Sequence, residues 1–236
     1  MEKEYKVFST ESKIVNKDPY KFQAPCRVLV AGPTESGKTN FIMNVLLDDD
    51  APWNYCFYFY SAPQPKYKIL EREYKAKGKE ISFISGIPEN KSKDEQFDYM
   101  KTFRQKSKEG RVVVIIFDDL MKEIENSPWA SKIYTAGCHH DNLSVFELCQ
   151  RVMVNREQRL QCDYVVLFNF PMDQKAIFAL AQQLEPLRYK EVMQMYEQAT
   201  VEHKRGWLLI DARCVKHGKS HLKYRCNSFN ELFDWK

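Results

Sequence analysis

The chain is 236 residues long, 44% hydrophobic, and holds 36 Lys and Arg against 32 Asp and Glu. That is enough apolar residue for one well-filled domain, while the longest apolar runs, Val112 to Phe117 and Val165 to Phe168, fall far short of the roughly 18 residues of a membrane-spanning helix. The net charge of +4 lies wholly in the last 36 residues, which carry eight Lys or Arg and four Asp or Glu. Met1 to Lys6 is charged and has no apolar leader core, so nothing points to secretion. Seven cysteines, an odd set without a C-x-x-C pair, predict free thiols in a reducing compartment rather than a disulfide framework. Cys138, His139, His140, Cys149 and Cys162 do not fall into the compact pairs that zinc prefers.

Met1 to Pro25 is polar, contains Pro19 and Pro25, and reads as an arm with one edge strand near Tyr5 to Phe8. The first core strand is expected at Arg27 to Ala31. It runs into Gly32-Pro33-Thr34-Glu35-Ser36-Gly37-Lys38-Thr39, which fits the Walker A pattern G-x-x-x-x-G-K-[ST], and then into an amphipathic helix, Lys38 to Leu47. A phosphate chain needs inward-pointing backbone N–H groups, glycines that allow close approach, a lysine for charge and a hydroxyl for Mg²⁺; this segment supplies all four. Average residue usage makes such a match accidental in about one chain of this length per hundred. The order strand, loop, helix lowers that further.

Further strands are expected at Tyr55 to Ser61 and Ile81 to Ile84. Between them Lys66 to Lys79 holds six Lys or Arg in fourteen residues, read as a solvated helix face, with a DNA-contacting stretch as the alternative. A helix follows at Asp94 to Lys106, then the strand Val112 to Phe117, which ends in Asp118 and Asp119. A buried strand closing on two acids is the Walker B form. Asp118 is the expected Mg²⁺ carboxylate, acting through a water while Thr39 ligates the metal directly. Asp119 is expected to polarise the attacking water, the competing reading being a cap for a helix starting at Leu120. A guanine-specificity N-K-x-D box after a later strand is absent.

Lys38 and Asp118 are 80 residues apart with two strands between them, which is the spacing of P-loop ATPases carrying an additional strand. The next strand, Ser144 to Leu148, leads to Gln150, a candidate sensor of the γ-phosphate or else a simple surface amide. The remaining elements are strands at Tyr164 to Phe168 and Trp207 to Ile210 and helices at Asp173 to Gln183 and Arg188 to Ala199. Near-continuous apolar strands alternating with helices predict an α/β domain with a mostly parallel sheet covered on both faces.

Taken together, the Walker motifs, Thr135 to Val145 with its His139-His140 pair, Gln150 and the strand Tyr164 to Phe168 resemble the FtsK/HerA-type genome-packaging ATPases of large DNA viruses, virophages and Polinton-like elements. The resemblance runs from about Arg27 to Asp211. It implies a RecA/FtsK-like P-loop NTPase organised as an arm (1–25), an ATPase domain (26–212) and a basic tail (213–236). It further implies ATP and Mg²⁺ as cofactors, double-stranded DNA and a capsid or its packaging vertex as partners, and a homo-oligomeric ring. In such a ring Arg156, or its neighbours Arg151 and Arg159, would complete the ATP site of the adjacent subunit. The place of action would be the host cytoplasm, a viral factory or the nucleus, with virion association also compatible.

The chain departs from the family pattern at Ala136 and Asp141, where relatives often carry arginines, and at Met172, where a basic residue often follows the proline. Glu35 stands where something small is usual. Two other functions fit a bare P-loop: a small-molecule kinase, for which Asp119 and Gln150 would have no purpose, and nucleotide-gated assembly without catalysis. The basic tail, with Lys204, Arg205, Arg213, Lys216, Lys219, Lys223 and Arg225, would hold DNA backbone, dock on the capsid, or simply be solvated.

Overall fold

The structure, a computed structural model, describes residues 22–90, 93–138, 141–152, 160–201, 203, 205–216, 222–226 and 232–233. The expected strand at Tyr5 to Phe8, the His139-His140 pair, Arg156 and Arg159 lie outside these residues. In chain order the elements are β1 (Arg27–Ala31), α1 (Lys38–Leu47), β2 (Tyr55–Tyr60), α2 (Lys66–Ala76), β3 (Glu80–Ser85), α3 (Lys93–Lys108) and β4 (Val113–Asp118). Two short helices follow, α4 (Met121–Glu125) and α5 (Pro128–Lys132), the latter running into a π-helical turn at Ile133–Gly137. Then come β5 (Leu143–Cys149), β6 (Tyr164–Phe168), α6 (Gln174–Leu184), α7 (Tyr189–Thr200), β7 (Trp207–Asp211), β8 (Lys223–Cys226) and β9 (Leu232–Phe233).

These strands form one sheet in the order β3-β2-β4-β5-β1-β6-β7-β8-β9. From β3 to β6 every pairing is parallel, and β7, β8 and β9 continue it antiparallel. β5 lies between β1 and β4, pairing Val28 with Phe146 on one side and Val114 with Ser144 on the other. The phosphate loop and the Walker B acids therefore stand two strands apart at the same end of the sheet, with the tip of β5 between them. Ligands of open parallel sheets bind at this end, beyond the carboxyl termini of the strands.

Apolar side chains on both faces explain why the central strands read as unbroken apolar runs. Val28 and Val30 of β1 point to the layer of α1 and α2, with Phe22, Phe41, Trp53 and Leu70, whereas Leu29 and Ala31 point to α6 and α7. Val113, Ile115 and Phe117 of β4 pack under α3 and α5 through Phe103 and Trp129. The basic stretch after Lys66 is an amphipathic helix: Tyr67, Leu70 and Tyr74 are buried. Its outer face pairs Arg72 with Glu73, Lys75 with Glu71, and Lys77, just beyond the helix, with Asp49. Exposed pairs of this kind are screened by solvent and contribute little to stability, so the face reads as solvated.

The tail contributes strands that the sequence pattern did not announce. β8 adds to β7 and buries Arg225, and Arg213 donates to the backbone carbonyls of Gln23 and Pro25. Those two charges serve the fold, which removes them from the set expected to grip DNA.

One buried acid gives the fold a pH dependence. Glu147, in the middle of β5, accepts a hydrogen bond from the Tyr134 hydroxyl, and burial raises its pKa above 4.5, a shift the Tyr134 bond only partly opposes. With the folded-state value above the unfolded one, the contribution is full below about pH 4.5 and is lost as pH rises through the folded value. Glu147→Gln keeps an acceptor for Tyr134 and removes the charge. Melting midpoints measured upward from about pH 4.5 are expected to fall with pH in the parent until the folded-state value is passed, and to lie flatter in the variant.

Candidate nucleotide site

The loop after β1 is closed by contacts that dictate its glycines. The Gly32 N–H donates to the Cys149 carbonyl at 3.0 Å, tying the start of the loop to the tip of β5. A Cβ at residue 32 would lie 2.4 Å from Ser36 Oγ and 2.8 Å from Phe168 Cβ, so only glycine fits. Gly37 has φ 114°, a conformation L side chains avoid, and it turns the chain into α1, whose Phe41 N–H reaches back to the Gly37 carbonyl at 2.9 Å. No side chain caps α1 and no acid stands in its first turn, leaving its N-terminal N–H groups and positive dipole end for an anion.

Lys38 is buried, and its Nζ donates to the carbonyls of Gly32 at 2.6 Å and Pro33 at 2.8 Å. Burial lowers its pKa, and the carboxylates of Asp119 and Asp118 oppose that shift. Ser36 Oγ is buried within the loop without a hydrogen-bond partner, a situation that costs about 1–3 kcal/mol and that a phosphate oxygen would relieve. A triphosphate therefore fits the residues present. Glu35 has φ 62° and is exposed, which accounts for its oddity in the sequence: a left-handed position favours glycine by roughly 1–2 kcal/mol. Glu35→Gly is expected to relieve that strain and remove a negative charge beside the loop, strengthening ATP binding severalfold in a fluorescent-nucleotide titration.

On the other side of the β5 tip, Asp118 ends β4 with its carboxylate buried. The hydroxyls of Tyr58 and Tyr67 both donate to its Oδ2, at 2.7 and 3.0 Å, and burial raises its pKa, only partly offset by those two bonds. Asp119 is exposed with φ 60°, and its N–H donates to the Leu148 carbonyl at 3.1 Å. A polar residue held in this sparsely populated region is typical of functional sites. Gln150 Nε2 donates to both Asp119 oxygens, at 2.9 and 2.8 Å. Helix α4 starts at Met121 with Leu120 before it and no side-chain cap, so Asp119 does not cap it.

The structure thus brings together Gly32 to Thr39, Asp118, Asp119 and Gln150, whereas Arg156 and Arg159 fall outside the described residues and Arg151 is exposed just past Gln150. The hard oxygen donors of Thr39 and Asp118 suit Mg²⁺, which typically uses one or two carboxylates together with substrate phosphates. Among the described residues no cluster of three or more His, Cys, Asp or Glu could hold a metal ion on its own. Tyr58 and Tyr67 escape a motif-based reading, because a tyrosine in an apolar strand or on a buried helix face has the pattern of core. Met172, at one departure from the family pattern, is almost fully exposed, and Asp141, at another, accepts from Arg104 at 3.1 Å.

Comparison with solved structures places this fold among P-loop NTPases. The genome packaging NTPase B204 from Sulfolobus turreted icosahedral virus 2, in complex with AMP, superposes with a TM-score of 0.58 at 14% identity, covering 91% of this chain and 99% of that chain. The complex of the same protein with AMPPCP gives 0.57 at 14% identity, covering 86% and 98%. B204 from Sulfolobus Turreted Icosahedral Virus, described as its DNA-packaging ATPase, gives 0.58 at 13% identity, covering 86% and 98%. Curated protein sequences return no match. The model of the family described as Poxvirus A32 protein matches residues 16–225, most of the chain, and this chain belongs to that family of viral packaging ATPases.

Proposed function

We propose that this chain binds ATP and Mg²⁺, hydrolyses the γ-phosphate with water, and uses the cycle to drive a double-stranded viral genome into a capsid. The observation that carries the reading is the Asp119–Gln150 pair, which bridges the tips of β4 and β5 across from the phosphate loop. Transfer of phosphate to a bound acceptor needs no water-activating acid there, whereas hydrolysis does. Family membership and the fold shared with B204 support the same reading.

In this mechanism Gly32 to Gly37 and the N-terminus of α1 wrap the phosphates, Ser36 Oγ gains its partner, and Lys38 leaves the loop carbonyls for the β/γ-phosphates. Thr39 directly and Asp118 through a water would hold Mg²⁺, which would supply neutralisation of the phosphate charge. Asp119 orients and polarises the attacking water. Gln150, which shares a hydrogen bond with that carboxylate, reports whether the γ-phosphate is present. Purified chain should release phosphate from ATP with no acceptor and respond to double-stranded DNA. Silence until a small-molecule acceptor is added would favour a kinase instead, and packaging left intact by loss of the Asp119 charge would favour nucleotide-gated assembly.

The ring, the capsid vertex as docking partner, and action in the host cytoplasm, a viral factory, the nucleus or the virion follow from the family resemblance. No helix among the described residues is long and apolar enough to cross a membrane. For the arginine supplied in trans, Arg156 is our first choice and Arg151 and Arg159 are the alternatives. Mixing a Lys38→Met subunit with an Arg156→Ala subunit, each inactive alone, should restore hydrolysis, because hybrid interfaces then contain one complete site. No recovery on mixing would leave Arg156 without a role in trans.

A further inference from the structure

Two buried hydroxyls at the Walker B acid have no part in the mechanism above. Tyr58 stands in the middle of β2 and Tyr67 in the first turn of α2, and they reach Asp118 across 60 and 51 residues of sequence. Both bonds fall on the same oxygen, Oδ2. The Tyr67 ring is clamped: it stacks on Phe83 at 5.0 Å and 22° and touches Tyr58 at 5.0 Å and Tyr60 at 5.2 Å. A clamped ring fixes the direction of its hydroxyl, and two such donors on one oxygen fix the rotation of the carboxylate they hold, turning Oδ1 away from both.

The same helix is tied to the other half of the site. Lys66, one residue before Tyr67, donates to Asn40 Oδ1 at 2.7 Å, and Asn40 directly follows the Walker A hydroxyl residue Thr39 on α1. The first turn of α2 is thereby bonded both to the residue beside one expected metal donor and to the side chain of the other. A core role alone would need the rings and not the hydroxyls, since phenylalanine fills the same space without introducing a buried polar atom.

We propose that Tyr58 and Tyr67 are positioning residues for the metal-site carboxylate, aiming Asp118 Oδ1 at the water that links it to the Mg²⁺ accompanying ATP, and that Tyr67 makes the first turn of α2 sensitive to whether the metal–nucleotide complex is bound. The inference rests on the reading of Asp118 as the Mg²⁺ carboxylate. Hydrogen-bond partners of this kind hold a metal-site carboxylate in orientation, here one that reaches the metal through a water, and their loss typically weakens metal binding 10- to 100-fold.

The test uses the full chain saturated with a non-hydrolysable ATP analogue and reads Mn²⁺ binding by electron paramagnetic resonance, well below every melting midpoint. Tyr67→Phe and Tyr58→Phe preserve the rings and remove one hydroxyl each; Asp118→Asn serves as the comparator. Each tyrosine variant is expected to bind Mn²⁺ roughly 10-fold more weakly, at the lower end of that range, and the Mg²⁺ half-saturation of hydrolysis is expected to move with it. Asp118→Asn should lose more than either. If Asp118→Asn weakens Mn²⁺ binding and both tyrosine variants match the parent, the hydroxyls only pack and the inference fails. If Asp118→Asn itself matches the parent, Asp118 is not the metal carboxylate, and the underlying reading fails instead.

Discussion

Asp119→Asn is expected to stop ATP hydrolysis while ATP stays bound. The substitution removes the charge that polarises water and little else. Asparagine tolerates the left-handed backbone at φ 60° better than most residues, and its amide oxygen still accepts from Gln150. A general base contributes typically 10²–10⁴-fold, so phosphate release should fall by that order, whereas a fluorescent-nucleotide titration should stay within about threefold of the parent. A fall in affinity matching the fall in rate would move Asp119 from catalysis to binding.

Lys38→Met separates binding from chemistry in the opposite direction. The parent ammonium is already desolvated and satisfied by two loop carbonyls, so the phosphates must offer it more than those carbonyls do. Charge-assisted hydrogen bonds contribute about 1.5–3 kcal/mol each; losing those to the β/γ-phosphates should weaken ATP binding on the order of 100-fold. Ligand linkage gives an independent readout, since nucleotide at 100 times its Kd should stabilise the parent by about 2.7 kcal/mol. Its melting midpoint should rise with ATP, while that of the variant should stay put. An unchanged affinity would mean that Lys38 never leaves the carbonyls of Gly32 and Pro33.

How legible these features are in the sequence depends on how local their causes are. The phosphate loop is written in eight consecutive residues, and its two glycines stand where a Cβ would meet Phe168 or the chain needs φ 114°. The same holds for the apolar strands β1, β4 and β6, whose positions follow, to within one residue at each end, from runs of Val, Leu, Ile and Phe. The insertion of β5 between β1 and β4 is legible only indirectly, from the number of strands separating the Walker motifs. By contrast, β8 reads Lys-Tyr-Arg-Cys and becomes a strand because β7 offers it an edge, not through its own pattern.

The Tyr58 and Tyr67 hydroxyls are the least legible part of the site. Their partner is more than 50 residues away in sequence, and nothing in Tyr-Cys-Phe-Tyr-Phe-Tyr separates the one ring that reaches an acid from its neighbours. Glu35 is the intermediate case. Its residue type marks the loop position as unusual, but the reason, a backbone in the left-handed region with an exposed side chain, is a matter of geometry. Arg156 rests on the family resemblance, through its distance ahead of β6.

Movement of DNA is the step that separates a motor from an ATPase that only hydrolyses its nucleotide. Displacement of a third strand annealed at one end of a linear duplex reads that movement directly, because only a protein travelling along the duplex strips the third strand. The parent chain should release the third strand with ATP and Mg²⁺, and neither a non-hydrolysable analogue nor the Asp119→Asn variant should do so. Steady ATP hydrolysis by a chain assembled on the duplex, with the third strand left in place, would contradict the assignment of this protein as a DNA translocase.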